Sequence, residues 1–337
     1  MDFNDKHILS IDQFNRSDVD KLFSVADYLE PYALRKKITR VLEGAILGNM
    51  FFEPSTRTRI SFGAAFNLLG GSVRETTGIE SSSMVKGESL VDTAKVLSGY
   101  SDVIVMRHPK VNSVKTFSEE SRVPVINGGD GTNEHPTQAL LDLYTIKKEI
   151  AEKEKLIDGL RIALVGDLKF GRAVHSLCKI LSLYKKISIN LISPKELKLP
   201  KEYIKRFKEA GAIVKETENL EKGISEVDII YMTRVQEERF KNKKDAEKYK
   251  GILTLNDAIY TANCEPNTVI MHPLPRDSRK EANELSLDLY KNPNLAIFRQ
   301  ADNGITIRMA IFSLVLDVVD QIENTSREVN WKINRQL

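Results

Sequence analysis

Short apolar runs alternate with segments of helical period along almost the whole chain, and this alternation restricts the fold to an α/β class built on parallel sheets. In the first half the strand-like runs are Ala45 to Phe52, Ser72 to Thr76, Val103 to Met106 and Val123 to Ile126. In the second half they are Arg161 to Val165, Ile187 to Ile192, Ile213 to Val214, Asp228 to Met232 and Thr268 to Met271. Polar or Gly-rich groups follow the first-half runs: Ser55 to Arg59, Arg107-His108-Pro109 and Asn127-Gly128-Gly129-Asp130-Gly131. Ligands of open parallel sheets bind beyond the carboxyl ends of the strands, so these groups are expected to converge on one crevice.

The chain of 337 residues is long enough for two domains. The expected architecture is two doubly wound parallel-sheet domains joined by interdomain helices, with residues 1–150 as the first and 151–304 as the second. A helix begins near Pro136, whose ring is tolerated in a first turn, and its charged tail from Lys147 to Lys155 makes the crossing. Ile305 to Ile322 reads as a terminal helix, with 305–337 packing back on the first domain.

The sharpest junction is Phe51-Phe52-Glu53-Pro54-Ser55-Thr56-Arg57-Thr58-Arg59. An apolar run ends in hydroxyls and guanidiniums where Ile60, Ala64 and Leu68 take up helical spacing, which lasts until Gly70-Gly71. A helix N-terminus presents N–H groups and the positive end of its dipole, and Ser55, Thr56 and Thr58 add hydroxyl donors. Arg57 and Arg59 supply the planar geometry that phosphate recognition favours. The alternative is an ordinary Ser55 or Thr56 cap with a solvated arginine face. Two like charges set against the dipole cost roughly a few tenths of a kcal/mol or more unless an anion offsets them, which favours a phosphate grip.

Composition narrows the partners. The formal net charge is only +3 and no long run of like charge forms a polyanion groove, so no nucleic acid is expected and small anions are preferred. Met1 to Asp12 is too charged for a signal peptide, and the apolar stretch from Met309 to Val319 is short and broken by Asp317. No membrane segment is expected, and the expected location is cytoplasmic. Cys178 and Cys264 lie in no ligand pattern, and His7, His108, His135, His175 and His272 show no His-Glu-x-x-His grouping, so no metal is expected. Gly166 and Gly171 lack the Gly-x-Gly-x-x-Gly fingerprint, and no cofactor is expected. Lys241 to Lys250 reads as a solvated loop or helix face.

Ser55-Thr56-Arg57-Thr58-Arg59, His135-Pro136-Thr137-Gln138 and His272-Pro273-Leu274-Pro275-Arg276 occur together and in order, and with them nearly the whole chain resembles the carbamoyltransferases, specifically their aspartate-using branch. The resemblance implies that the first domain binds carbamoyl phosphate. Ser55, Thr56, Arg57 and Thr58 would meet the phosphate, with Arg107 beside it and His135 and Gln138 near the carbamoyl group. Thr58, Arg107 and His135 are the candidates for the growing oxyanion, and Arg59 is expected to brace the loop. The resemblance further implies that the second domain holds L-aspartate. Arg172 and Arg234 match the residues on its two carboxylates, with Gln236 nearby, and Pro273, Leu274 and Pro275 would offer main-chain carbonyls to the carbamoyl and amine groups. Ser82 and Lys86 match a loop that enters a neighbouring subunit's site, which implies a homotrimer with shared sites. Lys86 would then join Arg57, Thr58, Arg107 and His135 in catalysis. A role in pyrimidine biosynthesis is implied as well, and regulatory chains are left open.

Gly63 stands where the family commonly has Glu, Ala173 where a Thr often follows the second-domain Arg, and the segment from Glu237 to Lys250 looks longer than usual. The nearest rival is an ornithine-using branch, whose typical His-Cys-Leu-Pro loop differs from His272-Pro273-Leu274-Pro275. A non-catalytic subunit that keeps the fold is the rival from another class, and it would bind phosphate without turnover.

Overall fold

The computed structural model describes residues 1–78 and 83–331. The chain forms two compact units, Met1–Leu140 with the residues from Asp302 onward, and Leu141–Ala301. The first unit runs through α1 (Arg16–Ala33), β1 (Lys37–Ile38), β2 (Ile46–Phe51), α2 (Thr56–Leu68), β3 (Ser72–Thr77), α3 (Leu90–Leu97), β4 (Val103–His108), α4 (Ser113–Ser118) and β5 (Val125–Asp130). Helix α5 (Pro136–Ala151) leads into β6 (Arg161–Val165), α6 (Arg172–Leu181), β7 (Ser188–Ile192), α7 (Lys201–Glu209), β8 (Ile213–Thr217), α8 (Leu220–Ile224) and β9 (Ile229–Met232). The second unit continues with α9 (Lys243–Glu247), α10 (Asp257–Asn263) and β10 (Val269–Met271), and α11 (Ile297–Val315) returns the chain to the first unit and β11 (Arg327–Glu328).

The first unit has a parallel sheet in the order β3-β2-β4-β5, and β1 pairs antiparallel with β11. The second has a parallel sheet in the order β10-β9-β6-β7-β8. The most apolar runs, such as Ala45 to Phe52, Val103 to Met106 and Arg161 to Val165, form central strands because both of their faces are covered, whereas Ser72 to Thr76 and Ile213 to Val214 form the exposed edge strands β3 and β8. On one face of the first sheet Met50, Phe52, Ile104, Met106, Phe117 and Val125 share a cluster. In the second unit Val165, Ile192, Ile230, Met232 and Ile270 do the same. Among the described residues no helix is long and apolar enough to cross a membrane.

Three local differences from the sequence reading have physical causes. β4 and β5 run on to His108 and Asp130, which pair across a register shift between Met106 and His108, so Arg107 and Asn127 to Asp130 lie within strands. The terminal helix ends at Val315, before Ile322. Asp317 turns left-handed there (φ 50°), and the N–H groups of Val318 and Asp317 fold back to the carbonyls of Ser313 and Leu314 at 3.0 and 3.3 Å. This Schellman pattern stops the helix with Asp in the place usually taken by Gly. The sequence reading also passed over α1, whose reciprocal cap joins Asn15 and Asp18 at 3.0 and 2.9 Å.

In the first unit Phe312 of α11 meets Phe66 edge-on at 5.0 Å and Phe62 at 6.0 Å, and all three rings are buried. Phe312→Ala is therefore expected to remove about 3 to 5 kcal/mol of stability, measured by urea unfolding. A loss under about 1 kcal/mol would contradict this packing role.

Candidate active site

In the first unit three neighbouring strands deliver their carboxyl ends side by side. Phe51 of β2 sits opposite Arg107 of β4, and the Phe52 N–H donates to the Arg107 carbonyl at 2.8 Å. β4 pairs in turn with β5, whose last residue, Asp130, opens the turn to His135. The loop with Ser55 to Thr58, the end of β4 and the turn before α5 thus follow adjacent strands.

Ser55 has the extended backbone of an N-cap (φ −163°), yet its side chain makes no capping hydrogen bond. The ordinary-cap reading therefore does not describe Ser55. Thr56 and Arg57 are exposed and Thr58 is half-buried at the start of α2. Arg59 is engaged differently: its guanidinium pairs with Glu75 of β3, and its carbonyl accepts from Asn49 Nδ2 at 3.1 Å. Asn49 also donates to Glu75 Oε1 at 2.7 Å. A Cβ added at Gly63 would stand 3.5 Å from that same Oε1. The carboxylate beside Arg59 thus comes from β3 in a chain with no side chain at position 63.

Arg107 Nε donates to Glu53 Oε2 at 2.9 Å, with side chains 13% and 16% exposed, so this pair is shielded from solvent far better than a surface ion pair. His135 is buried immediately before α5, and its carbonyl accepts the Gln138 N–H at 3.0 Å. The turn that carries His135 closes around the buried Asp130 carboxylate. One oxygen accepts from Asn127 Nδ2 at 3.1 Å and the Glu134 N–H at 3.0 Å. The other accepts from the Asn112 N–H and Asn133 Nδ2, both at 3.0 Å. Four charge-assisted bonds on one carboxylate leave this turn little freedom. Gln138 is buried in the first turn of α5. Lys86 is exposed at the end of the short turn Ser83–Lys86, and Ser82 lies outside the described residues.

In the second unit the ends of β6, β9 and β10, again neighbours, carry the remaining candidates. Arg172 is the first residue of α6, after Gly171. Arg234 follows β9 and forms a two-pronged pair with Glu238, Nη2 to Oε1 at 2.6 Å and Nη1 to Oε2 at 3.1 Å. Asp167 joins the two segments: one oxygen accepts the N–H groups of Lys169 and Phe170 at 3.2 and 3.0 Å, the other that of Gln236 at 3.0 Å. Burial pushes the Asp167 carboxyl up, against the pull of these three donors.

The loop after β10 is held by its histidine. His272 Nδ1 accepts the Leu274 N–H at 2.9 Å, so Nε2 carries the proton and donates to Glu284 at 3.0 Å. Burial pushes this ring below the usual histidine range, which keeps it neutral. Leu274 is held at φ 51°, a left-handed conformation unusual for a leucine, before the cis bond to Pro275. Gly166, Thr233, Val235, Glu237, Lys250 and Asp277 line a crevice in the second unit. Lys250 pairs with Glu237 at 3.2 Å and Tyr249 is buried, so the end of the Lys-rich segment is anchored and is not a wholly solvated face. Among the described residues no three His, Cys, Asp or Glu side chains gather as a metal-binding group.

Glu75, Glu238 and Glu284 were not singled out from the sequence, and Glu53 and Asp130 entered only as members of strand-end segments, with no role of their own. Only Glu238 had a local signal, its four-residue spacing from Arg234.

Detaching Arg59 tests the brace. Glu75→Ala is expected to weaken binding of inorganic phosphate about tenfold by calorimetry, and Gly63→Glu added to it to restore most of the affinity. Unchanged affinity in Glu75→Ala would contradict the brace.

Matches to a protein family, a relative and two solved structures bear on this arrangement. Residues 6–148 match the aspartate/ornithine carbamoyltransferase carbamoyl-P binding domain, and residues 158–315 match the Asp/Orn binding domain of the same family. The aspartate carbamoyltransferase catalytic subunit of Cellvibrio japonicus is 67% identical over 331 residues, covering 98% of each chain. Among solved structures, Trypanosoma cruzi aspartate transcarbamoylase in complex with carbamoyl phosphate and aspartate aligns with a TM-score of 0.85 and 37% identity over 93% of this chain and 98% of that one. The catalytic subunit of M. jannaschii aspartate transcarbamoylase aligns with a TM-score of 0.83 and 42% identity over 94% and 99%. With both family domains matched in order over most of its length, this chain belongs to the aspartate/ornithine carbamoyltransferase family.

Proposed function

We propose that this chain transfers the carbamoyl group of carbamoyl phosphate to the α-amine of L-aspartate, giving N-carbamoyl-L-aspartate and phosphate as a step of pyrimidine biosynthesis in the cytoplasm. The observation that carries the reading is that each family domain brings an arginine set suited to its own anion. Ser55, Thr56, Arg57 and Thr58 take the phosphate in the first. Arg172 and Arg234 take the two carboxylates of aspartate in the second, helped by Gln236.

The chemistry follows from the residue types. The neutral amine attacks the carbonyl carbon, a C–N bond forms, and negative charge grows on the carbonyl oxygen. Thr58, Arg107 and His135 donate to that oxygen, and each well-placed donor is worth about 3 kcal/mol of barrier. The C–O bond to phosphate then breaks, and the departing phosphate takes the amine proton. His135 acts as a neutral donor and need not be a base, while Gln138 and the carbonyls of Pro273, Leu274 and Pro275 orient the carbamoyl and amine groups.

Glu53 and Glu238 have a part in this cycle. Each already faces an arginine assigned to substrate, so a substrate anion replaces one carboxylate with another and the guanidinium is not left buried and unpaired.

Ser82 and Lys86 complete the site of a neighbouring subunit in a homotrimer, and Lys86 reaches L-aspartate there. Regulatory chains are compatible with that assembly.

Phosphate release measured with L-aspartate and with L-ornithine tests the reading. Release is expected with aspartate alone, falling at least about 100-fold in Arg57→Ala and in Lys86→Ala, and recovering in part when the two inactive chains are mixed into hybrids. Transfer to ornithine in place of aspartate would overturn the substrate assignment. Hybrids without recovered activity would overturn the shared site.

A further inference from the structure

A buried run of hydrogen bonds reaches the loop after β10 from the two helices that join the units. Asp142 of α5 and Gln300 of α11 are both at most 1% exposed. Gln300 Nε2 donates to Asp142 Oδ1 at 2.7 Å, while Asp142 Oδ2 accepts the buried Tyr231 hydroxyl at 2.6 Å. Gln300 Oε1 points the other way and accepts the backbone N–H of His272 at 2.9 Å. Beyond it the His272 ring binds the Leu274 N–H and Glu284, and Glu284 Oε1 also accepts the Asp277 N–H at 2.8 Å.

The polarity of this run is fixed. A carboxylate only accepts and a backbone N–H only donates, so the Gln300 carboxamide satisfies both neighbours in one orientation alone. Turning it over would set two donors against each other at His272 and two acceptors at Asp142. Each unmade bond would leave a buried polar group without solvent, which is more expensive than an ordinary lost contact. The loop therefore cannot slide along α11 without breaking the run.

We infer that Gln300 is a positioning residue for carbamoyl transfer. By clamping the His272 N–H to Asp142 it sets where the Pro273 and Leu274 carbonyls meet the carbamoyl group and the attacking amine. The inference rests on the role given to that loop under the proposed function.

Removing the clamp and then rebuilding it tests the inference. Gln300→Met keeps the volume but takes away both the donor to Asp142 and the acceptor of the His272 N–H. It is expected to lower kcat on the order of 100-fold, the effect of a small misplacement of reacting groups, with KM for aspartate changed far less. Hydrogen exchange of the segment containing the His272 amide is expected to quicken. Gln300→Glu combined with Asp142→Asn rebuilds the run with its charge moved by one side chain: the asparagine donates to the new carboxylate, whose second oxygen accepts from His272, and Tyr231 donates to the asparagine oxygen. All three bonds return, so kcat is expected within about fivefold of the unaltered chain, with slow exchange restored.

A Gln300→Met variant with unimpaired kcat overturns the inference, as does a double variant that does not fold or that recovers slow exchange without recovering rate. Failure of the proposed function itself is seen separately, because the unaltered chain would then release no phosphate with aspartate.

Discussion

Both main sheets are parallel throughout, and every other feature of the candidate site depends on that pairing. Parallel strands bring all their carboxyl ends to one edge, so residues far apart in sequence become neighbours wherever strand order makes them so. β2, β4 and β5 are adjacent, and so are β10, β9 and β6. Reversing a six-residue strand such as β4 would carry Arg107 to the opposite edge, roughly 20 Å away at the usual rise per residue. The register has a second consequence: with Phe51 opposite Arg107, the loop after β2 begins where β4 is about to end.

On that scaffold the arginines fall into two kinds. Arg59 is tied on two sides, by Glu75 at its guanidinium and by Asn49 at its carbonyl, and Asn49 holds Glu75 as well. A closed arrangement of this kind braces the loop. Arg107 and Arg234 each face a glutamate, Glu53 from the loop after the neighbouring strand β2 and Glu238 from the turn that follows Arg234 itself. Taking a charge out of water without a partner costs several kcal/mol, so a shielded guanidinium keeps a carboxylate beside it.

Much of the fold was legible because strand burial and helix period are written locally. Ala45 to Phe52 and Arg161 to Val165 are apolar since both faces of their sheets are covered, and they match β2 and β6 closely. Boundaries set by tertiary pairing were less legible. β4 and β5 lengthen by pairing His108 with Asp130, and α11 begins eight residues before the expected Ile305. The strand ends that carry the candidate residues were readable, and the choice of arginines and histidines among them came through the family resemblance. The carboxylates that position them were not readable. Glu75 is brought to Arg59, and Glu284 to His272, by sheet neighbours and loops whose meeting no short window of sequence records.

The central claim is that the phosphate grip before α2 and the paired arginines of the second unit serve one reaction. It is tested most directly by calorimetric titration with a single molecule that joins a phosphonacetyl group to L-aspartate. The account predicts one molecule bound per chain, with affinity lost by at least about 100-fold in Arg57→Ala and equally in Arg234→Ala. Tight binding that survives either change would contradict it.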